Sequence, residues 1–285
     1  MTLVGRTLVI SGGSRGIGEA IAVRAARDGA NVALLAKTSE PHPALPGTIH
    51  TAAAAIEEAG GRALPLVGDI RDDAFVEAAV REVADTFGGI DVVVNNASAI
   101  DLSSTGYISM KKYDLMSDIN TRGAFHLSQR SIPYLRASEN PHILTLSPPI
   151  SLDRKWFSTH TAYTIAKYGM SLLTIGLSEE LRNDGIAANS LWPRTAIDTA
   201  AVRNVIGGDL ARRSRTAAIM ADAAHAILVR DSRTYTGNLV IDDDILSEAG
   251  VTDFSRYLNG GSEADLVLDM WVEPKGGAVA RFRLG

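Results

Sequence analysis

The chain has 285 residues, 46% apolar and 21% charged, which excludes a disordered or fibrous protein and allows a sizeable core. Lys and Arg number 28 against 33 Asp and Glu, and a net charge of −5 argues against a nucleic-acid or anionic-membrane partner. There is no cysteine, so disulfides, thiolate metal sites and a cysteine nucleophile are excluded, in keeping with a reducing, cytoplasmic location.

No apolar run approaches the ~18 residues that a membrane-spanning helix needs. Residues 1–10, interrupted by Arg6, read as a leader into a first strand over 7–10, not as a secretory signal. A glycine loop follows, then an amphipathic stretch with Ile17, Ile21 and Ala25 on one face. Further strands are predicted at 32–35, 64–67, 92–94, 143–146, 186–191 and 239–241. Asp72 or Asp73 can cap a helix that carries Val76, Val80, Val83 and Phe87 and stops at Gly88-Gly89. Several strands are continuously apolar, as strands covered on both faces are, and they alternate with helices. The fold expected is α/β: a single domain with a doubly wound, parallel, seven-stranded Rossmann-type sheet flanked by helices. Two stretches break the rhythm. An ordered insertion is expected at 37–48, containing Pro41-His42-Pro43. The segment 247–285, with Trp271, is too apolar for a free tail and is expected to pack on the 1–246 domain or on a partner subunit.

Gly12, Gly13, Ser14, Arg15, Gly16, Ile17 and Gly18 lie between the first strand and the first helix. A loop of this kind turns tightly and lets backbone N–H groups and a helix N-terminus approach a pyrophosphate. The second strand ends in Ala36-Lys37-Thr38, without the acid that would accept a ribose 2′-hydroxyl. Lys37 and Arg15 instead suit a 2′-phosphate, so NADP(H) is the cofactor expected. Tyr163 and Lys167 are four residues apart in a helical stretch and therefore share a face. A phenol with an ordinary pKa near 10 needs help to move protons at neutral pH, and the ammonium together with oxidised nicotinamide is expected to lower that value. Tyr163 would then exchange a proton with a carbonyl or alcohol oxygen.

These residues resemble the short-chain dehydrogenases/reductases over about 4–246. The resemblance implies an adenine-contacting acid at Asp69, beside Ile70, and a cofactor-side motif at Asn95-Asn96-Ala97-Ser98, with Asn96 and Ala97 in contact. It implies a proton-relay asparagine at Asn120, and a catalytic Tyr163 and Lys167 that also hold the cofactor. Pro193 matches the proline after the sixth strand, followed by Arg194 where the family has glycine, and the nicotinamide-contacting threonine is Thr195 or Thr199. The family's serine falls on Ile150 or Pro148, depending on how it is counted. Ser147 or Ser151 would have to serve, Ser147 being preferred. Ala36-Lys37-Thr38, Pro41-His42-Pro43 and Ser147-Pro148-Pro149 resemble more closely the hydroxysteroid dehydrogenase-like branch, which is linked to lipid metabolism. A homodimer or homotetramer built on the helices of Asn120 and Tyr163 is also implied.

Trp156 and Phe157, just before the Tyr163 helix, suggest an apolar substrate. Arg212, Arg213 and Arg215 read as a solvated face, His42 as an exposed loop residue, and Asp242-Asp243-Asp244, with no histidine near in sequence, as no metal site. The function expected is therefore an NADP(H)-dependent oxidoreductase interconverting a carbonyl and a secondary alcohol on a lipid-like small molecule. The alternative is an NADP(H)-binding regulatory or scaffold protein with little turnover.

Overall fold

A computed structural model of the chain describes residues 1–41, 46–200, 208–275 and 280–281; His42 and Pro43 of the insertion lie outside them. The sheet has seven parallel strands: β1 Thr7–Ser11, β2 Asn31–Ala36, β3 Arg62–Val67, β4 Val92–Asn95, β5 His142–Thr145, β6 Ala187–Trp192 and β7 Leu239–Ile241. Their order is 3-2-1-4-5-6-7, the doubly wound topology expected. Period-two alternation with apolar residues in both phases explains why both faces are covered. In β1, Leu8 and Ile10 face one core, whereas Val9 faces the other. The first core is closed by α1 Gly16–Ala26, α2 Ile49–Glu58 and α7 Ala218–Leu228. The second is closed by α3 Asp73–Phe87, α5 Gly123–Leu135 and α6 Thr161–Glu180.

Local chemistry sets the helix ends. Asp72 accepts from the N–H groups of Ala74 and Phe75 at 3.0 and 3.2 Å, and α3 ends at left-handed Gly88. At the start of α2, Thr48 and Thr51 exchange hydrogen bonds of 2.8 and 3.1 Å. Sequence reading missed this helix because its cap follows directly on the insertion. Between α4 Met110–Met116 and α5, Ser117–Arg122 forms a π-turn that carries Asn120. After β7 comes α8, Asp242–Glu248. The chain then returns to β6, where Leu268 bridges Thr195 in antiparallel fashion.

The strand order reverses between β1 and β4, each of which has a different neighbour on its other side. Their loops diverge there and leave a crevice at the carboxyl ends of the strands.

His142, on β5, is 1% exposed and its Nε2 lies 3.1 Å from the Arg230 carbonyl. Burial lowers its pKa from 6.5 to about 4. The unfolded chain takes up this proton near pH 6.5 and the folded chain resists it, so this contribution to stability is complete above pH 6.5 and is lost as pH falls towards 4. The interval corresponds to about 3 kcal/mol. Urea unfolding across that range should show a slope that His142→Gln reduces. Some slope should persist, since burial lowers His126 and His160 as well.

Candidate active site

The crevice holds a cleft of about 390 Å³ lined by Gly12, Ser14, Arg15, Gly16, Ile17, Lys37, Asp69, Ile70, Asn96, Ala97 and Thr199. Asn96 locks its floor, donating from Nδ2 to the carbonyls of Ser11 and Gly12, both at 3.0 Å. The Ser11 hydroxyl in turn accepts from the N–H groups of Asn96 and Ala97. Gly12 has φ +70, and a Cβ there would lie 2.8 Å from Ala97 Cα. Gly13 and Gly18 serve packing instead: a Cβ on them would meet Leu34 or Asn96, each at 2.5 Å. Arg15 reaches across to the end of the insertion, donating to the carbonyls of Pro46 and Gly47 at 3.1 and 2.7 Å. Lys37 lies 3.1 Å from Asp69, which Arg71 also grips at 2.6 Å. Hydrogen bonds from Arg71, and to a lesser extent Lys37, hold that carboxyl well below the usual carboxylate range. Lys37 and Asp69, expected to meet different parts of a nucleotide, thus also meet each other.

A second cavity, about 200 Å³, adjoins the first, and Ile17, Asn96, Ser98 and Thr199 line both. Tyr163, Lys167 and Pro193 open onto it among Ile100, Leu146, Trp192, Ile197, Leu210, Met220, Leu268 and Met270. The Lys167 ammonium donates to the Leu146 carbonyl at 2.7 Å and lies 5.1 Å from the centre of the Trp192 ring. Burial lowers its pKa to about 7, with the charge of Asp269 opposing the shift. The phenol departs from expectation. Burial raises the Tyr163 pKa, Asp269 raises it further, and a hydrogen bond with the Ser98 hydroxyl works the other way. The charged neighbour acting on Tyr163 is therefore an aspartate, and the expected lowering is not found in the protein itself.

Asn120 is fully buried, and its amide clasps Ala99, accepting from the N–H at 2.7 Å and donating to the carbonyl at 3.0 Å. Its carboxamide thus braces the loop after β4. Ser147 does not reach the cavity. It is fully buried and its Oγ makes no hydrogen bond, because α6 holds the backbone on either side of it. Lys167 takes the Leu146 carbonyl, and Ser171, one turn on, donates to that of Pro148 at 2.6 Å. Ser151 is pinned by its backbone to the Tyr168 hydroxyl. The hydroxyl beside the phenol belongs to Ser98, to which sequence reading gave no role. Thr195 is also diverted: it is buried and bridged to Leu268, whereas Thr199 lines both cavities.

Other candidates take structural places. Trp156 and Phe157 pack on the Tyr163 cluster outside the cavity lining. Arg215 is buried rather than solvated, 3.7 Å from Glu263, and Arg213 donates to the Asp265 carbonyl. The three aspartates after β7 answer Arg194. Asp243 and Asp244 take its guanidinium at 2.7 and 2.6 Å, and Asp242 accepts from its backbone N–H.

The returning segment supplies Asp269, which sequence reading overlooked, and Trp271, which it named only as a packing residue. Asp269 lines the cavity, and Trp271 packs against Tyr163, His160, Tyr168 and Trp192 with ring centres 5.5–5.9 Å apart. Trp271 has φ 63, rare for any residue but glycine, and its buried indole N–H makes no hydrogen bond. The one available signal was a lone carboxylate inside the apolar run 266–272.

The family model described as short chain dehydrogenase matches residues 6–208. The chain belongs to the short-chain dehydrogenase family. Members of this family are oxidoreductases that bind a nicotinamide cofactor. Hydroxysteroid dehydrogenase-like protein 2 of Xenopus tropicalis is 56% identical over 90% of this chain and 61% of its own length. The human protein of that name is 50% identical over 90% and 60%. The chain thus spans about three fifths of the length of these curated relatives. A solved short chain dehydrogenase from Mycobacterium thermoresistibile superposes with a TM-score of 0.91 at 55% identity, covering 98% of this chain and all of that one.

In this short-chain dehydrogenase, Gly18→Ala puts a methyl group 2.5 Å from Asn96 Nδ2 and 2.7 Å from the Gly12 carbonyl. It should break the Asn96 lock and cost about 1–3 kcal/mol of stability, as overpacking does. Titration with a nicotinamide dinucleotide, NADH or NADPH, should show affinity weakened by about tenfold or more.

Proposed function

We propose that the protein is an NADP(H)-dependent oxidoreductase that interconverts a carbonyl and a secondary alcohol on an apolar, lipid-like substrate. The observation carrying this reading is that a nucleotide-sized cleft and a largely apolar cavity share four lining residues, with Tyr163 and Lys167 in the second. Gly12, Ser14, Arg15, Gly16 and Ile17 would hold the pyrophosphate end of the dinucleotide. Asp69 and Ile70 would face the adenine, and Asn96, Ala97, Lys167, Pro193 and Thr199 the nicotinamide end. The cleft suits the dinucleotide because Gly12, Ser14, Arg15 and Gly16 line it at the start of α1, where backbone N–H groups can meet a phosphate. Lys37 and Arg15 lie at the adenosine end without a ribose-binding acid, which favours the 2′-phosphorylated cofactor.

Bound nicotinamide supplies or accepts a hydride at the substrate carbon. Tyr163 gives its phenolic proton to the carbonyl oxygen in reduction and takes one from the hydroxyl in oxidation. A phenol raised above its ordinary range stays protonated at neutral pH and can donate to a carbonyl oxygen. Ser98, hydrogen-bonded to that phenol, takes the place Ser147 was expected to fill. The name of the Xenopus relative and the cavity lining together support a lipid-like substrate. The scaffold reading draws on Trp271, packed 5.5 Å from the Tyr163 ring, and on the buried Ser147.

Reduction of a panel of apolar ketones with NADPH separates the two readings. Tyr163→Phe should lower kcat by about 10²–10⁴-fold; cofactor binding with no turnover on any substrate, and no effect of this change, would favour the scaffold. Alcohol oxidation should climb on the alkaline side, where the phenol gives up its proton. Lys37→Ala should weaken NADPH by about tenfold and leave NADH unchanged. Equal affinity of the unmodified protein for both dinucleotides would overturn the NADP(H) assignment.

A further inference from the structure

Two charged side chains line the smaller cavity among the described residues, Lys167 and Asp269, and their signs are opposite. They come from distant parts of the chain. Lys167 is on the helix that carries Tyr163. Asp269 is on the returning segment, where it is held by backbone contacts on both sides. Its N–H donates to the Arg194 carbonyl at 2.9 Å, the Ala196 N–H donates to the Val267 carbonyl at 2.9 Å, and the Trp192 indole donates to the Met270 carbonyl at 3.0 Å. The carboxylate also accepts from the Met270 N–H at 2.7 Å. Asp269 is therefore as firmly placed as a strand residue. Its charge acts on both Tyr163 and Lys167.

A buried charge without a counter-charge is costly, and the rest of this cavity is mainly hydrocarbon. Burial raises the Asp269 carboxyl to about 7 and lowers the Lys167 ammonium to about 7, so that at pH 7 the two charges balance. Water-poor surroundings also strengthen any residual charge felt by an incoming ligand.

We propose that Asp269 is a specificity-determining residue: by balancing Lys167 it keeps the substrate cavity electrically neutral, so that the cavity takes uncharged apolar carbonyl or alcohol compounds, esters and amides included, and turns away free carboxylates. The identification of the cavity as the substrate site rests on the function proposed above; the charge balance rests on the two side chains alone. Removing the negative charge would leave Lys167 unanswered and convert the cavity into an anion site. A purely structural role would weaken neutral and anionic ligands alike.

The test uses the full chain at pH 7 and two probes of equal length, hexanamide and hexanoate, with binding followed by fluorescence of Trp192, which lines the cavity. The unmodified protein should bind hexanamide about tenfold more tightly than hexanoate. Asp269→Asn, nearly isosteric, should raise hexanoate affinity about tenfold and leave hexanamide within threefold, whereas Asp269→Glu should keep the original ratio. Equal binding of the probes by the unmodified protein, a preference for hexanoate, or binding of neither overturns the proposal without reference to any variant. A parallel loss of both probes in Asp269→Asn, or an unchanged ratio, overturns it as well. No turnover is required. Failure to reduce any ketone would remove the oxidoreductase reading and leave the binding ratio to decide this one.

Discussion

A lysine that is 2% exposed organises this molecule. An ammonium taken out of water must find acceptors and a counter-charge, or the fold loses stability. Lys167 finds the Leu146 carbonyl, the face of Trp192 and the field of Asp269. Each ties a different element to α6: the end of β5, the end of β6 and the returning segment. Ser171 and Tyr168 extend the same seam by holding Pro148 and Ser151. The loop after β5 is therefore shaped by the helix that carries the phenol.

The sheet was legible because its evidence is local and repeated. Runs such as Val92-Val93-Val94 and Leu239-Val240-Ile241 admit few readings in a chain that alternates them with amphipathic stretches. The glycine loop was legible for a similar reason, since turn chemistry and the strand before it are adjacent in sequence. Tyr163 and Lys167 were found through helical spacing. What spacing could not give was the sign of the phenol's shift, which depends on burial and on an aspartate roughly a hundred residues further along.

Ser147 shows where counting along a chain fails. Its position near the end of β5 suggested access to the site, but orientation there is decided by hydrogen bonds from α6 to the neighbouring carbonyls. Lys37 and Asp69 teach a related lesson. Each was assigned a ligand contact separately, and the parallel pairing of β2 with β3 brings them 3.1 Å apart. Ser98 stood inside a motif that was read correctly, yet its hydroxyl gained meaning only beside Tyr163. Asp269, and the place of Trp271 beside Tyr163, lay beyond reach because their segment is held by bridges to β6 and its following residues, which leave no periodic trace.

The antiparallel bridge from Leu268 to Thr195 has a consequence for how the protein is made. A ribosome releases a chain from its N-terminus, and all seven strands of the main sheet precede this bridge. The larger cleft can thus be assembled on the nascent chain while the smaller cavity still lacks a wall and its negative charge. The smaller cavity can close only once residues 266–272 have emerged, and a chain cut short before residue 266 would retain the larger cleft but have no closed chamber beside it.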